Sequence, residues 1–333
     1  MDNIVSKFCL KSVVFFVIAI TLFNVHSVMA EPAKASFEEW LAVFKADAEH
    51  KGISKETLDI ALQDLTFVPK VVKLDRNQPE VKLTLQKYLS RVINRARVVT
   101  GREKLKALQP LLGEIQKQYG VQARFIVAFW ALETDFGRLT GGHYVIQALA
   151  TLAYEGRRGE FFRKELMNAL RIMDAGHVTR ADMTGSWAGA MGQTQFMPST
   201  FLGYAVDYND DGKKNIWVTL EDALASAANY LSRLKWRDDT TWGREVRLPA
   251  EFDDKLIGLT IEKRLNEWQT LGVRKVDGSR LPTRDLMASI VRPDGEGERA
   301  FIVYSNYRAI LKWNRSHYFA ISIGLLSDQI AQR

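Results

Sequence analysis

Residues 125–137 read Phe125-Ile-Val-Ala-Phe129-Trp130-Ala-Leu132-Glu133-Thr-Asp135-Phe136-Gly137. From Phe125 to Leu132 there is no polar residue. A helix that is apolar on every side is a buried helix. The spacing predicts that helix over 121–137, with Gly137 as its stop. One carboxylate, Glu133, sits in its last turns. Phe129 and Trp130 lie one turn before it and Phe136 one turn after. Desolvation and the negative end of the helix dipole both favour the protonated carboxyl. A carboxylic acid kept neutral near pH 7 serves as a general acid. The competing reading of this helix taken alone is a structural glutamate hydrogen-bonded in the core.

Working outward, the chain is mainly helical. Residues 37–66 read as two short helices, broken at Gly52, with Ser54 capping the second. Residues 81–119 are mostly helical and amphipathic. Residues 160–175 form another helix, ended by Gly176. Thr219 caps a helix running through Leu234, with Asp222 at the third position as in a capping box. The character changes near Trp242. Residues 243–304 carry short β-branched stretches and turns. Met287–Arg292 and Ala300–Tyr304, joined across Pro-Asp-Gly-Glu-Gly, read as a hairpin. Residues 317–332 return to helix.

Two loops carry candidate chemistry. Residues 185–198 read Gly-Ser-Trp-Ala-Gly-Ala-Met-Gly-Gln-Thr-Gln-Phe-Met-Pro. Ser186, Gln193 and Gln195 stand there among Trp187, Met191, Phe196 and Met197. Aromatic faces with a few amides suit sugar rings and N-acetyl groups. The glycine spacing matches no phosphate-binding motif. In residues 207–218, Asp207, Asn209 and Asp211 occupy positions 1, 3 and 5 of an EF-hand loop, and Gly212 position 6. Asn215 offers a ninth-position ligand. Position 8 is Lys214, and position 12 is Val218 where a bidentate carboxylate should close the site. A weak calcium site and a metal-free turn stand level. The histidines form no zinc spacing, and no Gly-x-Ser-x-Gly elbow is present.

At the N-terminus, Lys7 and Lys11 precede the apolar run Val13 to Phe23, followed by Val28-Met29-Ala30. This reads as a secretory signal cleaved after Ala30. The one cysteine, Cys9, lies before the apolar run, so no lipid anchor is expected and the mature chain has no thiol. Cleavage takes the net charge from +7 to +6. That mild excess suits an anionic polymer such as cell-wall glycan. No dense basic stripe indicates nucleic acid.

Taken together, Glu133-Thr-Asp-Phe-Gly137, Ala148-Leu-Ala-Thr-Leu152, Arg157-Arg158, the Ser186–Pro198 loop, the EF-hand-like loop and Ala228-Asn229-Tyr230 resemble the lytic murein transglycosylase B family. The resemblance covers about residues 36–332. It implies a mainly α (α+β) fold: a lysozyme-like helical core with an added N-terminal helical region and a small inserted β-rich subdomain. The ranges are then 1–30 for the signal, 31–242 for the helical catalytic region, 243–304 for the β-rich piece and 305–333 for a segment returning to the core. The activity implied is cleavage of the β-1,4 bond between N-acetylmuramic acid and N-acetylglucosamine, leaving a 1,6-anhydro-muramoyl end.

The same resemblance makes Glu133 the single catalytic acid, then base. It places Ser186 and Gln195 along a glycan groove and Tyr230 as an aromatic wall. Arg157 and Arg158 would meet peptide or lactyl carboxylates. The family shows Tyr-Asn and then a second tyrosine near its C-terminus. Here Asn314 matches and Trp313 replaces the first tyrosine, leaving ring stacking but no hydroxyl. The second is either shifted to Tyr318 or replaced by Phe319. Tyr88 is the candidate upstream groove tyrosine. No cofactor is required, with calcium at Asp207, Asn209, Asp211 and Asn215 the one candidate. The expected partner is peptidoglycan, with cell-wall synthesis enzymes as candidate protein partners. A soluble periplasmic monomer follows.

A water-using glycosidase needs two carboxylates, ~5–5.5 Å or ~6.5–9.5 Å apart. Asp135 is the nearest alternative to Glu133, but two helical positions differ by about 200°. The competing functions are a hydrolytic muramidase, which needs that second carboxylate, and a non-catalytic peptidoglycan-binding protein.

Overall fold

The structure, a computed structural model, describes residues 35–77, 83–295 and 298–332. The signal reading around Ala30 lies outside the described residues. No described helix is long and apolar enough to cross a membrane.

The chain begins with α1 (Phe37–His50), α2 (Lys55–Leu62) and α3 (Pro69–Arg76). Ser54 caps α2 as the sequence indicates, accepting the Thr57 N–H. Next come α4 (Leu85–Val92), α5 (Arg95–Ala107), α6 (Gln109–Tyr119) and the buried helix α7 (Ala123–Thr134). A two-residue strand β1 (His143–Tyr144) leads into α8 (Val145–Glu155) and α9 (Gly159–Asp174). Strand β2 (Thr184–Gly185) pairs antiparallel with β1. Helices α10 (Pro198–Tyr204) and α11 (Leu220–Arg233) follow.

A five-stranded antiparallel sheet then forms within residues 243–303. Its strands are β3 (Gly243–Arg247), β4 (Lys263–Arg264), β5 (Arg274–Lys275), β6 (Met287–Val291) and β7 (Ala300–Val303), in the order β4-β6-β7-β3-β5. The hairpin read from sequence is β6–β7, with Ile290 opposite Ile302. Helix α12 (Leu265–Thr270) covers this sheet through Trp268. The chain returns to the helices through α13 (Ser305–Trp313) and α14 (His317–Ala331).

Two helical cores result. One gathers α4 to α7, α11, α13 and α14 around Phe125–Ala131, Tyr307 and Ile323. The other gathers α1 to α3 and α8 to α10 around Phe44, Leu58, Leu149, Leu166 and Phe201. Phe129 is fully buried in the first. Truncating such a ring to alanine costs about 3–5 kcal/mol. Tyr230 and Trp313 are only partly buried, and each packs against both cores. They mark a seam between the two cores, and Trp313 meets Glu133 there.

Helix α7 ends earlier than Gly137. Its cap is Asp135, in the left-handed region at φ 50°. Phe136 follows at φ 60°, an unfavourable conformation for a bulky side chain. The Phe136 N–H reaches back six residues to Trp130 O, the wrap that a left-handed helix end produces. Asp135 therefore lies off the regular helix, so the 200° argument does not describe it. Thr219 also differs from expectation. It makes no side-chain cap bond at α11. Asp222 turns away from the helix end to the preceding loop, where the Tyr208 N–H and Asn215 N–H donate to its carboxylate.

Candidate active site

Glu133 is carried by the last turn of α7 and is half-buried. The crowding of protein around its carboxyl outweighs a single opposing hydrogen bond, and its pKa is pushed up from 4.5 to about 7. The opposing donor is the indole N–H of Trp313, 2.8 Å from Glu133 Oε1. Burial raises the carboxyl because water no longer solvates the anion, while a donor favours the anion. The carboxyl therefore keeps its proton much closer to neutrality than an exposed glutamate does.

Three rings fix Trp313. Its centroid lies 4.4 Å from Phe129, 5.0 Å from Tyr230 and 5.4 Å from Phe196. Tyr230 donates its hydroxyl to Lys312 O at 3.1 Å, which fastens the residue preceding the indole. Asn314, exposed, accepts the Ser316 N–H and shapes the turn into α14. Tyr88 of α4 lies against Tyr318, with ring centroids 5.6 Å apart and planes tilted by 56°. Burial raises its phenol, and the charge of Glu133 raises it further. The Tyr318 hydroxyl is engaged by Leu83 O and Asp294. Phe319 is buried against Phe129.

The 185–197 loop is fastened to the end of α7. Thr134 Oγ1 donates to Gln193 O at 2.7 Å, and Trp130 Nε1 donates to Gln193 Oε1 at 3.0 Å. Gln193, read in the sequence as a cleft amide, is thus a buried fastening. Gly137 sits against its side chain at φ 83°, where a Cβ would collide. Gln195, at φ 51°, is half-buried and donates to Thr140 O and Gly192 O. Ser186 Oγ accepts the Ala190 N–H within the same loop.

Asp135 stands apart chemically as well as in backbone. Its carboxylate accepts from Arg138 at 2.7 and 2.9 Å and from Arg97 at 3.3 Å. The Arg138 bonds, with Arg97 supporting, hold it below the usual carboxylate range. Among the described residues no second carboxylate acts on Glu133: burial and Trp313 are its determinants.

Arg157 and Arg158 are joined to Asp75 of α3 rather than to the Glu133 seam. Both guanidiniums grip that carboxylate, at 2.6 and 2.5 Å, and Asp75 is 3% exposed. About half of each arginine side chain remains open to solvent. Asp75 escaped the sequence reading because it lies 82 positions from Arg157, and an Asp-Arg pair at the end of α3 looks like ordinary surface charge.

The EF-hand-like loop satisfies itself. Asp207 accepts the Asp211 and Gly212 N–H groups, Asp211 accepts Lys213 N–H, and Asn215 accepts Trp217 and Val218 N–H. Val218, where the closing carboxylate belongs, is 75% exposed. No group of three or more His, Cys, Asp or Glu among the described residues is arranged to hold a metal. The donors fit the first half of a calcium shell and lack its closure.

Residues 36–328 match the transglycosylase SLT domain family. The chain is 33% identical over 221 residues to membrane-bound lytic murein transglycosylase B of Escherichia coli K12, covering 64% of this chain. That match spans 58% of the curated relative's length. Among solved structures, SltB3 of Pseudomonas aeruginosa in complex with NAG-anhNAM-pentapeptide superposes with TM-score 0.86 at 46% identity. The superposition covers 89% of this chain and 79% of that one. The Escherichia coli lytic transglycosylase Slt35 in complex with calcium gives TM-score 0.76 at 27% identity, covering 87% and 92%.

Proposed function

The chain belongs to the transglycosylase SLT domain family, and from that premise we propose that it is a peptidoglycan lytic transglycosylase. It cuts the β-1,4 bond between N-acetylmuramic acid and N-acetylglucosamine and leaves a 1,6-anhydro-muramoyl end. One observation supports this above the rest: a carboxyl bonded by the Trp313 indole and raised to about 7, with no carboxylate partner acting on it among the described residues. Such a group donates a proton near neutrality and takes one back.

Glu133 protonates the glycosidic oxygen as the bond to the muramoyl C1 breaks. The substrate's own N-acetyl group stabilises the developing cation. Glu133, now anionic, removes the proton of the muramoyl C6 hydroxyl, whose oxygen closes on C1. That nucleophile is intramolecular, so proximity takes the place of a water-activating base. Tyr230 and Trp313 supply ring faces along the seam, and Ser186 and Gln195 supply polar edges. Arg157 and Arg158, pre-oriented by Asp75, present their open faces to stem-peptide carboxylates, as bidentate guanidiniums suit. The site of action is the periplasm.

Digestion of purified sacculi, with mass analysis of the released muropeptides, tests the reading. Anhydro ends are expected. Reducing ends would identify a hydrolase, and binding without release a non-catalytic protein. Glu133→Gln should lose at least ~10²–10⁴ in rate, the usual contribution of one general acid.

A further inference from the structure

We propose that Trp313 is a positioning residue that fixes Glu133 so that one oxygen, Oε2, both delivers and recovers the proton. The inference rests on the reading of Glu133 as acid and then base. An indole N–H donates and never accepts. Its partner oxygen, Oε1 at 2.8 Å, must therefore be an acceptor in every state of the site. In the protonated state the carbonyl oxygen is the stronger acceptor of the two, so Oε1 takes that role and the hydrogen is placed on Oε2. In the anionic state Oε1 stays engaged, and Oε2 is the free base.

The indole is itself held by Phe129, Tyr230 and Phe196, and by the Tyr230 bond to Lys312 O.

The proton balance is closed. The Oε2–H bond breaks as the proton passes to the glycosidic oxygen, and the C1–O bond breaks with its electron pair leaving on that oxygen. The C6 oxygen then bonds to C1 while its proton passes to Oε2. No water is consumed and no co-reactant is needed.

Tyr88 apart, the charged and titratable groups named on the surrounding elements are held by other partners or face solvent. Tyr88 of α4 feels the charge of Glu133. From α5, Arg97 is bound to Asp135, and Lys104 lies over the Trp130 ring. Arg138, beyond the end of α7, is bound to Asp135 too. Glu114 and Lys117 of α6 face solvent. Tyr230 of α11 donates to Lys312 O, and from α14 His317 meets Tyr307 and Asp328 meets Arg124. Among the described residues, Trp313 is the one side chain hydrogen-bonded to Glu133.

Two variants test this, assayed on sacculi across pH. Trp313→Phe removes the N–H and shortens the ring. Site-specific replacement of Trp313 by 3-benzothienylalanine keeps the fused ring and puts a sulfur, which cannot donate, in place of the N–H. Both should lower kcat about tenfold or more, the scale of one charge-assisted hydrogen bond; KM should change little in the isostere and rise in the phenylalanine variant, which also loses ring face. Both should move the alkaline limb of the kcat profile to higher pH, because the anion loses its donor. If the phenylalanine variant misfolds, the isostere decides. An alkaline limb at its wild-type position in the isostere overturns the proposal, whatever kcat does, because Trp313 would then act only as a sugar platform. Glu133→Gln is the separate control. Activity surviving in it defeats the reading of Glu133, whereas an inactive Glu133→Gln beside an unmoved Trp313 profile defeats this inference alone.

Discussion

Replacing Glu133 by glutamine should remove turnover and, at alkaline pH, make the protein more stable. The folded carboxyl titrates at about 7 against an ordinary 4.5. Between those values the native state holds a proton that the unfolded chain has released. Stability therefore falls as pH rises through that window. Below it both states are protonated and the group is neutral in its effect. Above it, burying the anion costs about 3 kcal/mol. Glutamine never ionises, and its side-chain oxygen still accepts the Trp313 N–H. The variant and the wild type should thus match near pH 4. At pH 8 the variant should be about 3 kcal/mol more stable, which places its urea midpoint roughly 1 M higher. Urea titrations of both proteins at pH 4, 6 and 8, followed by circular dichroism, measure this. A stability difference that does not change with pH would refute the reasoning, since it would mean that Glu133 ionises as easily folded as unfolded.

Asp135→Asn should reduce activity several-fold and leave the products anhydro, because Asp135 braces Arg97 and Arg138 rather than substrate; complete inactivity of a folded variant, read on digested sacculi, would contradict this. Asp75→Ala should destabilise the fold by about 2 kcal/mol in urea, toward the lower end for a broken buried pair because both arginines are half-open, and should raise KM for peptide-bearing glycan more than for glycan stripped of peptide. Calcium at 10 µM should shift the melting temperature by under about 2 °C, since a loop lacking its closing carboxylate binds near the weak end of such sites; a shift beyond about 5 °C in scanning calorimetry would show the shell to be complete.

Local signals carried the fold where one segment decided its own fate. The apolar run of α7 was legible because no face of it tolerates water, and its buried glutamate was legible with it. The β6–β7 hairpin was legible from β-branched stretches around a turn. Choices made between distant segments were not. Gln193 and Gln195 are the same residue two positions apart, yet one is locked under Trp130 and the other left half-open. Only the left-handed backbone at Gln195 and the contact with α7 distinguish them. Asp222 reads as a helix cap in sequence, but the loop before it offers two amides that the helix end cannot match. The Trp313 substitution was visible as a ring exchange. Its N–H became meaningful only when α13 met the end of α7 across 180 positions.

That separation bears on how the molecule is made. A polypeptide emerges N-terminus first, so α7 exists as chain long before α13 and α14, which wall it in. Until then the stretch from Phe125 to Leu132 is covered only by the earlier helices α5, α6 and α11, and the face that the C-terminal helices wall in stays open. A nascent chain stalled anywhere before residue 313 carries the glutamate without its indole, beside a helix with one face still open. The pairing of Glu133 with Trp313 is therefore among the last features of the core to form, completed only when the C-terminal helices close on α7.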